Sequence, residues 1–394
     1  MSKPNITDTL EFPSDLNITR ALFGVGIFGL IASGVGYFLD HDQFFFSYLV
    51  SFTFFSSLAV GSLFFVMLQH LTRAEWSVVV RRIPETISGN ILIWALFLIP
   101  ILLGMHSLYH WTHEEAVASD PVLQGKEPYL NIPFFIVRQV IYFGLWGFLG
   151  YRLYKNSIKM DETGDWGLQT LLRRTSGPGM FFFAITLAFA SFDWLMSLDP
   201  HWYSTIFGVY FFAMSFQAIF AFLILLVYYL WRKGILQNTI QESHIYDMGV
   251  QLFAFTVFYA YIAFSQFLLI HYGAIPEETI WYLHRIEGGY EVLAYFFLFG
   301  RFAIPFILLL NKDTKTKTSI IIGVSVLVLV THFFELYWIA MPVLHEHGIH
   351  FTWLDITTFL GLGGIFFGLF FHRFKQHKMV PVNDPKLNES LRDH

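Results

Sequence analysis

Ten apolar runs separated by short polar stretches set the pattern of this chain. They fall near 20–39, 44–70, 91–110, 132–154, 179–198, 204–231, 249–271, 289–310, 319–341 and 353–373. Each is long enough to cross a hydrocarbon core about 30 Å thick as a helix rising about 1.5 Å per residue. The expected fold class is all-α integral membrane, with a ten-helix transmembrane domain over 20–373, a polar N-terminal segment over 1–19 and a polar tail over 374–394. The first run has no small-residue cleavage site before the loop at Asp40, so it reads as a retained helix and not as a cleaved signal.

Composition agrees with that pattern. Of 394 residues 55% are hydrophobic, 20% aromatic and only 13% charged, with 47 Phe and a mean hydropathy of +0.54, far more apolar surface than one soluble core needs. A formal charge of -5 and basic residues confined to short loops give no reason to expect a nucleic-acid partner. Zero cysteines exclude disulfides, thiolate metal sites and any iron-sulfur cluster bound by this chain alone. Arg73, Arg81, Arg82, Arg152, Lys155, Lys159, Arg173, Arg174, Arg232, Lys233, Lys312, Lys315, Lys317, Arg373, Lys375 and Lys378 alternate with loops that hold only Lys126 and Arg285. The positive-inside rule then places both termini in the cytoplasm.

Depth assigned in this way makes the ionisable groups one-sided. His106, His110, Arg138, Asp193, His271, His284, Glu287, Glu291, His332, Glu335 and Asp355 lie in the outer half or at its rim, whereas His70, Glu75, Arg301 and His372 lie deeper or inward. A carboxylate inside an apolar helix costs several kcal/mol unless it meets a partner or water, so Asp193 marks a candidate site by default. The pattern predicts a polar cavity opening from the outer face.

A weak internal repeat organises these groups. Phe192-Asp193 followed by Pro200 matches Phe334-Glu335 followed by Pro342, and Tyr142-Phe143 matches Tyr295-Phe296, a register that sets Arg138 against Glu291. Helices 2–5 and 6–9 are thus expected to form two similarly oriented four-helix bundles, flanked by helices 1 and 10. Arg138 is placed to hold Asp193 ionised. The second bundle has no cation at the matching position, so Glu291, Glu335 and Asp355 are expected to crowd one outer cavity, with His332, one turn before Glu335, sharing a proton. Arg301, near mid-membrane and four residues before Pro305, needs a carboxylate, carbonyls or water, or snorkels inward. Glycines at 24, 26, 29, 34 and 36 and at 361, 363, 364 and 368 predict close helix packing. His106 and His110, like the histidines at 345, 347 and 350, have ligand-like spacing but lie near the surface, so no metal or haem is assigned to this chain.

The run SFDWLMSLDPHWYSTIFGVYFFA at 191–213, with HRIEGGYE at 284–291 and THFFELYWIAMP at 331–342, resembles the F subunit of bacterial alternative complex III, a quinol:cytochrome c oxidoreductase, over essentially the whole chain. That family is related to NrfD-like membrane subunits. The resemblance implies a place in the bacterial inner membrane beside a second NrfD-like subunit, a periplasmic iron-sulfur subunit and multihaem cytochrome c subunits, with a terminal oxidase as a further partner. It implies haem c and iron-sulfur clusters in those partners, none in this chain, and a quinol or quinone close by. Carried over, Asp193, Glu291, Arg301, His332, Glu335 and Asp355 are proton-pathway candidates. His106, Arg138 and Asp193 are quinone-pocket candidates, because quinol oxidation releases two protons and needs a base. Two other classes stay open: a stand-alone secondary transporter, which would want split helices and inverted repeats, and a structural membrane scaffold.

Overall fold

The computed structural model describes residues 8–13 and 17–392; the rest of the expected N-terminal segment, and the last two residues of the tail, lie outside the described residues. The ten spans are α1 (Ile18–Leu39), α2 (His41–Thr72), α3 (Val78–Leu103), α4 (Ile132–Thr163), α5 (Gly167–Leu198), α6 (Phe207–Arg232), α7 (Glu242–Gly273), α8 (Glu291–Leu310), α9 (Thr318–Val343) and α10 (Trp353–Phe374). No strand occurs among the described residues, and the chain is an all-α integral membrane protein.

Helix α2 is the axis of the molecule. Of its apolar window 94% is buried, against 22% for α1, which places α2 at the centre and α1 at the rim. Around it, α2 packs on α3 and α5, α3 on α4, and α4 on α5, closing one four-helix ring. A second ring joins α6 to α7 and α9, α7 to α8, and α8 to α9. The rings meet through α2 against α6 and α9, and α5 against α6. Matching helices are four spans apart, so they run the same way, and the expected arrangement of two bundles is what the contacts give. Both flanking helices lie on the α2 side: α10 packs on α2, and α1 packs on α10.

The α1–α10 contact is a backbone contact. A Cβ on Gly29 would lie 2.6 Å from Gly361 Cα, and one on Gly364 2.6 Å from Gly26 Cα, so only glycine lets the helices approach this closely. Ser33 Oγ donates to Gly29 O at 2.8 Å and lies 3.1 Å from Thr357 Oγ1 beside them.

Several helices overrun their apolar runs. The third was expected from 91 and begins at Val78. Its first turns carry Arg81, Arg82 and Glu85, which look like loop residues but are buried and paired with one another at i,i+3 and i,i+4. At its other end the expected 91–110 helix stops at Leu103, and the chain continues in short turns at Met105–Leu108 and His110–Thr112. The tail after α10 packs back on the helix ends: Met379, Val380 and Leu387 are buried, and Met379 N donates to Leu10 O at 2.9 Å. Both chain ends thus share one end of the bundle, called the terminal end below.

Candidate functional site

The buried polar network that spans the most helices sits in the second bundle. Helix α8 widens into a π turn over Leu298–Ala303 just before Pro305, and Arg301 in that turn is fully buried. Its Nη1 pairs with Glu335 on α9 and lies 3.1 Å from His332 Nδ1; Nε donates to Gln217 Oε1 at 2.9 Å and Nη2 to Met214 O at 2.9 Å. Glu335 also accepts from the hydroxyls of Tyr210 and Tyr259, the latter at 2.6 Å. The guanidinium lies over the Tyr259 ring, 4.4 Å from its centroid. Each of the three guanidinium nitrogens of Arg301 meets an acceptor inside the bundle, so it does not snorkel toward the terminal end.

His332 is held in one tautomer by its neighbours. Arg301 can only donate, so Nδ1 accepts, and Nε2–H donates to Ser57 Oγ at 2.8 Å, while Ser57 donates to Phe54 O at 2.6 Å. Gln217 extends the network by donating to Thr256 Oγ1 at 2.9 Å and to Arg301 O at 3.2 Å. The result joins α2, α6, α7, α8 and α9 through a network whose hydroxyls pass protons by rotation.

Glu335 is also on the wall of a cavity of about 740 Å³ lined by Tyr259, Gln266, Trp281, Tyr282 and Trp338. Its walls include Tyr261, Phe264 and Tyr295, which are exposed on the outside of α7 and α8, so it reaches the side of the bundle. An outer polar cavity shared by Glu291, Glu335 and Asp355, expected from the sequence, is not what the fold builds. Asp355 lines a separate, Phe-rich cavity of about 390 Å³ between α9 and α10, and Glu291 lines neither. The reason is placement: Asp355 caps the start of α10 on the α2 side, accepting from Thr352 N at 2.7 Å and Ser47 Oγ at 2.6 Å, and Ser47 in turn accepts from Gln43. His345 donates to Gln43 Oε1 at 2.6 Å, drawing the 344–352 loop onto the same string. Glu291 starts α8, with its Oε2 buried and unpartnered.

The first bundle holds a different device. Asp193 on α5 accepts from Arg138 Nε (2.9 Å) and Nη2 (2.8 Å), Tyr129 (2.9 Å), Tyr142 (2.8 Å) and Gln139 (3.3 Å), and it is fully buried. The expected Arg138–Asp193 pair is present, and five donors on two oxygens leave the carboxylate saturated. Each bundle therefore joins an Arg on its third helix to a carboxylate on its fourth, with two tyrosines attached. The position that matches Arg138 holds Glu291 and no cation, as expected, but the carboxylate of the second bundle is not left without one: Arg301, ten residues further along α8, fills that role. His106 is exposed and bonded within its own loop, Thr112 Oγ1 at 3.2 Å from its Nδ1, and no hydrogen bond among the described residues joins it to Asp193.

Two features escaped the sequence. Helix α2 carries a buried polar face, Gln43, Ser47, Ser51 and Ser57, in contact with Asp355, Thr358 and His332. Polar residues at every fourth position from Gln43 through Ser47 to Ser51 inside a Phe-rich run were the available signal. The second is the cluster at the terminal end, where Arg81, Arg82 and Glu85 meet Asp161 and Asp384 from distant parts of the chain; nothing local announces such partners. Among the described residues no group of three or more His, Asp or Glu is arranged to hold a metal ion. The chain matches no protein-family model, and no curated protein is similar to it at a significant level.

Proposed function

We propose that this chain is a proton-conducting membrane subunit of a respiratory quinol:cytochrome c oxidoreductase of the alternative complex III kind, set in the bacterial inner membrane with both termini in the cytoplasm. Its partners are a second NrfD-like subunit, an iron-sulfur subunit and multihaem cytochrome c subunits, which carry the redox groups that a cysteine-free chain leaves to them. Quinol oxidation releases two protons with its two electrons, and this subunit supports it by giving protons a route through the bundle.

The observation that carries this reading is the Ser57–His332–Arg301–Glu335–Tyr259 network. A buried ion pair is a weak device for stability, since desolvation offsets most of its Coulomb energy. A fully bonded network that also contains a neutral imidazole and two phenol hydroxyls is suited to relay. A proton that reaches Tyr259 or Tyr210 from the cavity replaces the one its hydroxyl gives to Glu335, and the restored O–H rotates back toward the carboxylate, while His332, fixed with its proton on Nε2, holds Arg301 beside it.

The test is the number of protons moved per electron by the assembled complex in proteoliposomes. Glu335→Gln removes the acceptor and lowers that ratio. An unchanged ratio overturns the reading, and a changed apparent affinity for quinol with an unchanged ratio assigns Glu335 to a quinol site instead.

A further inference from the structure

The terminal end of the first bundle holds a second cluster of titratable groups, closed by the C-terminal tail. Glu85 on α3, fully buried, accepts from Arg81 Nε at 2.9 Å, Arg82 Nη1 at 3.0 Å and Ser157 Oγ at 2.8 Å. Arg82 also pairs with Asp161 at the end of α4, and Arg81 Nη2 donates to Asp384 Oδ2 of the tail at 2.5 Å. The tail is pinned on both sides of Asp384: Asn383 Nδ2 donates to Asp161 O at 2.8 Å, and Ser390 Oγ to Trp76 O at 3.0 Å.

Two guanidiniums here face three carboxylates, so the bonded cluster carries one excess negative charge, and burying it is unfavourable unless a cation or proton joins it. The remaining charges do not supply one directly. Arg373 donates to Gly89 O and stacks on Tyr154, Glu75 is paired with Lys386, Arg73 and Glu162 are exposed, and His377 is half-buried. His70 is placed to receive a proton: its ring is buried, its Nε2 has no hydrogen-bond partner, and that atom lies 3.9 Å from Glu85 Oε1. Three further buried atoms around the α2–α3 junction, Gln69 Oε1, Ser77 Oγ and Arg82 Nε, are likewise unpartnered. Buried polar atoms of this kind are met by internal water, which conducts protons between fixed groups.

We propose that the C-terminal tail completes a second proton-binding site, in which Asp384 passes protons from the terminal surface through internal water to Glu85 and His70. A hydronium proton passes over the Asp384 carboxylate, which stays ionised at rest and paired with Arg81, moves by water to His70 Nε2, and leaves an imidazolium facing Glu85, so that the cluster becomes neutral. The central network at Ser57 lies thirteen residues, or about 20 Å, further along α2. This site rests on the proton-conducting reading and would supply the central network from the terminal end.

The experiment compares Asp384→Asn, Asp384→Glu, His70→Gln and Glu335→Gln in the assembled complex in proteoliposomes, reading proton uptake on the terminal side and protons moved per electron. Asp384→Asn and His70→Gln are expected to slow uptake about 100-fold, the low end of what a positioned proton-transfer group contributes, and Asp384→Glu to restore it. Wild-type uptake in Asp384→Asn and His70→Gln, with Glu335→Gln still lowering the ratio, overturns this site and leaves the function standing. No effect of Glu335→Gln on the ratio overturns the function, and this site with it. Should Asp384→Asn fail to assemble, His70→Gln decides alone, and wild-type uptake there refutes the site.

Discussion

Asp193→Asn is the sharpest probe of the division between the two bundles. The substitution keeps shape but swaps one acceptor oxygen for an NH₂ that donates, in a pocket where five donors already converge. Arg138, 5% exposed and with its aromatic contacts intact, then becomes a buried cation without a counter-charge. Removing one partner of a buried ion pair costs about 3–5 kcal/mol. At about 2 °C per kcal/mol, the low end for large domains, apparent melting of the purified chain in detergent should fall by about 6–10 °C. Trp194 and Trp146, packed near this group, make intrinsic fluorescence a suitable readout. The double variant Asp193→Asn with Arg138→Gln removes the orphaned charge and should recover more than half of the loss. A single variant melting within about 2 °C of the parent, or a double variant no better than the single, would refute the assignment of Asp193 to a saturated clamp.

Three further outcomes follow from the contacts. Ser57→Ala leaves His332 Nε2–H without an acceptor and should cost about 1–3 kcal/mol, while Ser57→Thr keeps the hydroxyl and most of the stability; equal melting of the two variants would contradict the His332 tautomer. Gly29→Val drives a side chain into Gly361 and should cost about 1–3 kcal/mol; in this cysteine-free chain a Ser33→Cys, Thr357→Cys pair should crosslink in the parent and not in the valine variant. Burial raises the Asp384 carboxyl, but the Arg81 guanidinium more than offsets this and holds it below its ordinary value. A depressed folded value means the tail's docking is held near neutral pH and lost only as pH falls through that value, below about 3.9. Amide exchange over 383–390 checks this, and loss of protection already near pH 6 would contradict it.

The ten spans were legible because a membrane helix must be apolar over a fixed length, and length survives any error in packing. Arg138 and Asp193 were legible for a similar reason: adjacent antiparallel helices put them at one depth. Arg301 and Glu335 were not. Counted from the terminal ends of α8 and α9 they lie nine and seventeen residues in, about 12 Å apart along a helix axis, and the long Arg side chain, the π turn and the packing register bring them together. The start of α3 was hidden because hydropathy scores Arg81, Arg82 and Glu85 singly, whereas the fold buries them as a group completed by Asp161 and Asp384. Serines of α2 were passed over because a hydroxyl bonded to its own helix looks the same in sequence as one bonded to His332 or Asp355.

The most direct measurement is gentle purification of the tagged chain from its native membrane, with the co-purifying subunits identified by mass spectrometry and haem c by a reduced-minus-oxidised spectrum. Stoichiometric recovery of a multihaem cytochrome, an iron-sulfur protein and a second ten-helix subunit is the predicted result. Isolation of the chain alone, with no redox partner and no haem c absorbance, would contradict its place in a quinol:cytochrome c oxidoreductase.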